Sequence, residues 1–165
     1  MPAVPPLRPK VLMVSPMPEW DIAPMREVYD LVDLAADGPA GLGAAGEITA
    51  LVTSGGRGAD AALIEALPAL ELIAVYGVGY DKVDLAAAAR RNVAVTNTPD
   101  VLTADVADMA LALTLALARR IVDGDAFARS GAWAKESMPL TGSVSGRKVG
   151  IVGLGRIGEA IARRF

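Results

Sequence analysis

The segment that most constrains the fold of this chain is residues 148–165, which have the sequence KVGIVGLGRIGEAIARRF. A short apolar run at 149–152 predicts a strand that is buried on both faces, and the apolar stripe of residues 159–165 predicts a helix. Between them, Gly153, Gly155 and Gly158 have G-x-G-x-x-G spacing. A strand, a glycine turn and a helix in this order are typical of a dinucleotide-binding unit.

Each of these glycines has a separate expected role. Gly153 permits the tight turn, Gly155 lets the backbone approach a pyrophosphate, and Gly158 lets the helix pack closely on its strand. The free N–H groups and the positive dipole at the helix start then face the phosphates. The alternative is an ordinary strand-to-helix turn. The residue that would bind the ribose is expected about 20 residues past the glycines, beyond Phe165, so these residues do not choose between NAD and NADP.

The composition predicts a globular protein and limits its partners. The 165 residues are 53% hydrophobic and 21% charged, which is enough apolar material for a sizeable core. The net charge is −3 and no basic block exceeds two residues, so we expect neither nucleic acid nor a membrane as a partner. The lack of cysteine is typical of a reducing cytoplasm, where we expect the protein to act. The lack of histidine excludes histidine acid–base chemistry and histidine metal sites from these residues.

Residues 10–97 alternate between strand-like and helix-like segments with short connections, which predicts an open parallel sheet with helices on both faces. Asp60 and Asp84 are expected to cap the starts of two helices, and Asn92 is expected to end the second in a left-handed conformation. Residues 35–46 are predicted to be a glycine-rich loop. The predicted strands are 11–14, 29–34, 48–52, 71–75 and 93–96, and the predicted helices are 23–28, 60–66 and 85–91.

A break at Asn97-Thr98-Pro99 predicts a domain boundary near Asp100. Residues 102–122 are then predicted to form one long helix that is apolar on nearly every face and buried from several directions, between two domains or two subunits. Residues 123–146, which include Trp133, have poor periodicity. They are interpreted as an arm that packs on a neighbour or, equally well, as a loop that folds onto its own domain.

The second candidate site is the segment Tyr76-Gly77-Val78-Gly79-Tyr80-Asp81, which directly follows a predicted strand. Ligands of open parallel sheets bind beyond the carboxyl ends of the strands, and two glycines let backbone N–H groups converge on a small carboxylate. The alternative is a glycine turn without a ligand. Ser54-Gly55-Gly56 also ends a predicted strand and could line the same crevice, although a turn without a ligand is the favoured interpretation of this segment. Asp81 and Asp84 are interpreted as turn and helix caps rather than as paired acids.

These residues carry a resemblance to a known family. The stretch LELIAVYGVGYDKVDLAAAARRNVAVTNTPDVLTADVADMALALTLALARR, followed by SGRKVGIVGLGRIGEAIARRF, resembles the NAD(P)-dependent D-2-hydroxyacid dehydrogenases, and within them the glyoxylate/hydroxypyruvate reductases. The resemblance implies a flavodoxin-like substrate domain over residues 1–99. It also implies that residues 100–165 supply a long interdomain helix, an arm and the first β-α unit of a Rossmann domain. The implied reaction is reduction of a small 2-keto acid to the D-2-hydroxy acid with NADH or NADPH.

The resemblance also assigns residues. Val78 and Gly79 would donate backbone N–H groups to the substrate carboxylate, and residues 102–146 would build a homodimer. Val106 would pack near the nicotinamide from the long helix. The cofactor site would consist of Val106, Gly153, Leu154, Gly155, Arg156, Ile157 and Gly158.

The catalytic arginine, glutamate and histidine of the family have no match in this sequence, so no catalytic residue and no metal ligand is assigned. A central strand at 148–152 without flanking strands would leave two unpaired edges. We therefore expect this sequence to be part of a longer protein. Two alternatives are a non-catalytic module for dimerisation or nucleotide binding, and a flavodoxin-like regulatory domain, which would leave residues 153–158 unexplained.

Overall fold

The computed structural model describes residues 8–34 and 38–165, without the side chains of residues 38–41 and 44. The chain divides into two compact units, Met1–Pro99 and Asp100–Phe165. Within the described part, no helix is both long enough and apolar enough to cross a membrane.

The first unit contains a five-stranded sheet in which all neighbouring strands are parallel. The strands follow the order β2-β1-β3-β4-β5, which is the flavodoxin-like order. This confirms the predicted α/β fold, with strand ends that differ from the predicted ones by one or two residues. The strands are β1 (Lys10–Met13), β2 (Asp30–Asp33), β3 (Ile48–Ser54), β4 (Leu72–Tyr76) and β5 (Ala94–Thr96).

The α-helices with defined bounds among the described residues of this unit are α1 (Glu19–Val28), α2 (Ala61–Glu65) and α3 (Leu85–Arg90). The chain moves in one direction along the sheet from β1 to β2, and in the other direction from β3 through β4 to β5. Right-handed crossovers therefore place α1 on one face of the sheet and α2 and α3 on the other. The core on the α2–α3 side is made of fully buried aliphatic residues from strands and helices, including Leu12, Ile48, Leu51, Ile64, Leu67 and Ile73.

Two of these helices begin as the sequence predicts. Asp60 accepts a hydrogen bond from the Leu63 N–H at 2.9 Å, and Asp84 accepts one from the Ala87 N–H at 2.8 Å. Asn92 follows α3 with φ of 56°, which confirms the predicted left-handed position. The first helix extends further than predicted, since it begins at Glu19 and contains Pro24.

The predicted glycine-rich loop is wrong where it can be compared. Gly38–Glu47 forms a 3-10 helix, while residues 35–37 lie outside the described residues. The alanines and leucine in this segment explain the difference, because Leu42 and Ala45 pack against the core of the sheet. Glycine content alone does not prevent a helical segment whose apolar side chains can be buried.

The second unit contains α4 (Thr103–Ala118), α5 (Ile121–Arg129), a 3-10 turn (Ala132–Ala134) and α6 (Arg156–Ala162). The single helix predicted over 102–122 is therefore wrong. It breaks at Arg119 and Arg120, where Arg120 has a left-handed φ of 51°. The Arg119 guanidinium donates to Thr141 Oγ1 at 2.9 Å. No glycine or proline marks this break, and the apolar pattern continues across it, so the pattern alone predicts one helix.

Within the second unit itself, Ala107 is the buried residue of α4, whereas Leu117 is 82% exposed. Burial of this helix between two domains or two subunits stays a prediction. The predicted strand at 148–152 is not formed: among residues 100–165, all of which the structure describes, none belongs to a strand. A strand needs a hydrogen-bonded neighbour, and this unit offers none. The last helix begins at Arg156, three residues before the predicted start.

Candidate functional site

The carboxyl ends of β3 and β4 carry two loops that pack backbone against backbone. Ser54 pairs with Tyr76 at the ends of these strands, so residues 54–58 and 76–82 leave the sheet side by side. A Cβ atom on Gly55 would lie closer than 3.0 Å to the carbonyl oxygen of Gly79. The structure thus brings Ser54-Gly55-Gly56 beside the Val78–Gly79 loop.

The β3 loop is fixed by hydrogen bonds from three directions. Ser15, which is 7% exposed after β1, accepts from the Ser54 N–H at 3.0 Å. Buried Thr53 donates from Oγ1 to the Gly58 carbonyl at 2.7 Å, and Lys82 donates from Nζ to the Gly56 carbonyl at 2.7 Å. Sequence reasoning missed Ser15, although a serine directly after an apolar strand marks the same sheet edge.

The amides of the β4 loop are available for a ligand. Within the described part of the chain, the N–H groups of Val78 and Gly79 have no hydrogen-bond acceptor. The Val78 carbonyl accepts from Asn97 Nδ2 at 2.9 Å, so the loop is held from the end of β5. A hollow of about 260 Å³ adjoins this loop, lined by Tyr80, Leu85, Val95, Thr96 and Asn97. Adjacent free N–H groups of this kind suit an anion.

Tyr76 connects the end of β4 to the start of α1. Its hydroxyl donates to Asp21 Oδ2 at 2.9 Å. This hydrogen bond, together with the negative charge of Asp21, raises the pKa of the Tyr76 phenol above its ordinary value. The phenol therefore stays neutral and holds α1 against the edge of the sheet that carries both loops.

In the second unit, the glycines of residues 153–158 differ in what they permit. Gly153 has φ of 89°, which side chains rarely adopt, and a Cβ on Gly158 would lie closer than 3.0 Å to the Gly153 carbonyl oxygen. The first feature confirms the expected turn. The second shows close packing of the helix start, but against the Gly153 carbonyl in the turn rather than against a strand, since no strand is formed here. A Cβ on Gly155 would meet no heavy atom within 4 Å, so the space into which a side chain at this position would point is open.

The start of α6 presents unpaired N–H groups in this open space. The first bond of the helix runs from the Glu159 N–H to the Gly155 carbonyl at 2.8 Å, and the N–H groups of Arg156 and Ile157 have no acceptor among the described residues. The Arg156 side chain forms an ion pair with Asp100 at 3.0 Å, so its backbone rather than its guanidinium is free for a phosphate.

The last helix is anchored on α4. The Arg164 guanidinium contacts Asp108 and donates to the Ala104 carbonyl at 3.2 Å. Val106, on the same helix, is 39% exposed. This helix therefore presents an accessible apolar side chain at Val106.

A concavity of about 1170 Å³ lies at the opposite edge of the sheet, around the amino ends of the first three strands. Within it Lys10 contacts Asp30 at 3.4 Å and Glu47 at 3.1 Å, so this lysine is already paired with carboxylates. The described residues also contain no group of three or more acidic side chains that could hold a metal ion.

Residues 11–149 match the family model for the catalytic domain of D-isomer-specific 2-hydroxyacid dehydrogenases. The chain belongs to this family. A glyoxylate reductase from Thermococcus litoralis is 44% identical to it in an alignment of 169 positions, which covers 96% of this chain and 51% of that protein.

Two solved structures of 2-hydroxyacid dehydrogenases share the fold. One, from Ketogulonicigenium vulgare, has a TM-score of 0.89 with 49% identity and covers 96% of this chain and 51% of the other. The other, an NADPH-dependent glyoxylate/hydroxypyruvate reductase from Sinorhizobium meliloti in complex with NADP and malonate, has a TM-score of 0.82 with 39% identity. It covers 95% of this chain and 50% of the other. The chain spans about half the length of these relatives.

Proposed function

We propose that this member of the D-2-hydroxyacid dehydrogenase family binds substrate and cofactor for the reduction of a small 2-keto acid. The product is the D-2-hydroxy acid, and the substrate is of the glyoxylate or hydroxypyruvate type. The observation that carries the proposal is the pair of free N–H groups on Val78 and Gly79 at the carboxyl end of β4. Two adjacent amide donors without acceptors suit a carboxylate, the group that all 2-keto acids share.

The cofactor would be held by the second unit. The turn at Gly153, the close packing at Gly158 and the open space beside Gly155 suit a diphosphate that approaches the backbone. The N–H groups of Arg156 and Ile157 would donate to it, and Val106 would contact the nicotinamide. NADPH or NADH, when bound, supplies the hydride. NADP in the Sinorhizobium meliloti reductase supports NADPH as the first cofactor to test.

The role of this chain in the reaction is binding and orientation rather than proton transfer. The sequence contains no histidine, and no residue matches the acid–base residues of the family. The carboxylate loop would hold the substrate in one orientation, and such positioning accelerates a reaction.

The test is activity of the complete protein that contains this chain. Glyoxylate and hydroxypyruvate are each supplied with NADPH and with NADH, and the oxidation of the cofactor is followed by absorbance. We expect turnover of at least one pair, with a D-configured product from hydroxypyruvate. No turnover with either cofactor contradicts the proposal and favours a non-catalytic binding module.

The proposed assembly is a homodimer built by residues 102–146. Support comes from apolar side chains that the second unit leaves in solvent, such as Leu117 at 82% and Trp133 at 66% exposure. Sedimentation velocity of the complete protein should show a dimer, and Leu117→Glu should weaken it because a charge cannot be buried unpaired. Trp20→Glu, on an exposed site of the first unit, is the matched control. A monomeric wild type contradicts this proposal.

A further inference from the structure

The end of β5 holds two consecutive carbonyl groups of the carboxylate loop. The Thr98 N–H donates to the Gly77 carbonyl at 2.9 Å. The next carbonyl, of Val78, accepts from the side-chain amide of Asn97 at 2.9 Å. Two successive peptide groups are therefore fixed from one side by residues 97 and 98, one by a backbone donor and one by a side chain.

This arrangement determines where the N–H groups point. In a trans peptide, the N–H bond is directed opposite to the preceding C=O bond. Because the Gly77 carbonyl faces Thr98, the Val78 N–H faces away from β5. Because the Val78 carbonyl faces Asn97, the Gly79 N–H also faces away from β5.

The two hydrogen bonds also keep the loop from satisfying its own amides. The N–H groups of Val78 and Gly79 have no acceptor among the described residues, and a rotation of either peptide group would break the bond to β5. The loop therefore enters the complex already in its binding conformation, so less conformational entropy is lost when a carboxylate binds.

We propose that Asn97 is a positioning residue for the substrate carboxylate. It acts through Val78 by holding the Val78 carbonyl, which orients the Gly79 N–H toward the ligand. This inference rests on the proposed function, since it assigns the loop to a 2-keto acid.

The test replaces Asn97 in the complete protein. Asn97→Ala removes the donor, and Asn97→Asp keeps the size of the side chain while placing an acceptor against the Val78 carbonyl. We expect KM for the keto acid to rise about tenfold in Asn97→Ala, since a charge-assisted hydrogen bond is misaligned. We expect kcat to change less than about threefold and KM for the cofactor to stay unchanged, because the chemistry and the second unit are untouched.

The matched control is Asn92→Gly. The chain contains two asparagines, one at each end of β5, and Asn92 has the left-handed φ of 56° that glycine accepts. This variant should keep the wild-type KM. An unchanged KM for the keto acid in Asn97→Ala overturns the inference. A joint decrease of kcat, cofactor affinity and thermal stability in this variant also overturns it, because that result would indicate a general structural role.

A second measurement separates this inference from the proposed function. Amide NMR of the complete protein, titrated with the non-reducible analogue oxamate, should shift the Val78 and Gly79 signals in the wild type and less in Asn97→Ala. If the wild type shows these shifts but no turnover, the proposed reaction fails while the positioning role stands. If oxamate leaves both signals unmoved, the positioning role fails even in an active enzyme.

Discussion

Gly55 and Gly79 lie so close that no side-chain atom fits between them, since a Cβ on Gly55 would come within 3.0 Å of the Gly79 carbonyl oxygen. This contact joins the loops after β3 and β4 into one surface. Backbone atoms cannot move aside as the end of a side chain can, so the position of Gly79 depends on the absence of a methyl group at residue 55.

Gly55→Ala should therefore displace the Gly79 loop. We expect a loss of about 1–3 kcal/mol in the free energy of unfolding from overpacking, together with a higher KM for the keto acid. Urea denaturation and steady-state kinetics measure the two effects. Gly56→Ala is the control, because its Cβ would meet only Ser54 Oγ at 3.9 Å. Equal behaviour of the two variants would contradict the role given to this contact.

Gly155 and Gly158 should respond oppositely to alanine. Gly158→Ala should cost about 1–3 kcal/mol of stability, because its Cβ would overlap the Gly153 carbonyl oxygen. Gly155→Ala should leave stability nearly unchanged, since its Cβ meets no heavy atom within 4 Å, but it should weaken NADPH binding by occupying the space of the diphosphate.

Thermal unfolding and a fluorescence titration with NADPH measure these two quantities. If Gly155→Ala binds NADPH as tightly as the wild type does, the diphosphate does not bind beside Gly155. A stable Gly158→Ala would show that the turn can relax.

Arg91 is predicted to stabilise the first unit through its shape rather than its charge. Its guanidinium donates to the carbonyls of Ile64, Leu67 and Pro68, at 2.5, 3.0 and 2.8 Å. These lie at the carboxyl end of α2, where carbonyl groups lack helical partners. Arg91→Lys should cost about 1–2 kcal/mol, because an ammonium cannot reach all three acceptors.

Arg90→Lys provides the comparison for Arg91, since it makes the same substitution at the neighbouring position. Arg90 is exposed on α3, so this variant should be nearly neutral in urea denaturation. If Arg91→Lys loses no more stability than Arg90→Lys, the positive charge of Arg91 matters at this position and the several N–H donors of its guanidinium do not.

The bond between Tyr76 and Asp21 should make stability depend on alkaline pH. The pKa of Tyr76 is raised, first by the hydrogen bond and then by the charge of Asp21. Because the pKa is higher in the folded state, this contribution is fully present below the unfolded value of about 10 and is lost as pH rises through the folded value. Asp21→Asn should lower the pKa of the phenol, as measured by phenolate absorbance.

A double-mutant cycle with Tyr76→Phe isolates this pair. The coupling between residues 21 and 76 should be favourable at neutral pH and should vanish once the phenol ionises. A coupling that does not change with pH would show that the hydroxyl does not bind Asp21 in solution.

Much of the first unit follows from local sequence. Strand-like segments of four to six residues separated by helix-like segments predict parallel strands, and Asp60, Asp84 and Asn92 occupy the cap positions that their side chains favour. The glycine spacing of residues 153–158 likewise predicts which glycine turns the chain and which one packs. These features are decided within a few residues, so the sequence alone determines them.

Other features depend on groups that are distant in sequence. The break at Arg120, the exposure of Leu117 and the absence of a strand at 148–152 depend on which partners this chain provides for its apolar surfaces, and periodicity does not contain that information. The role of Asn97 is of the same kind, because its bond to Val78 joins residues nineteen positions apart. Only the tertiary structure decides this contact, since it exists when the ends of β4 and β5 meet at one edge of the sheet.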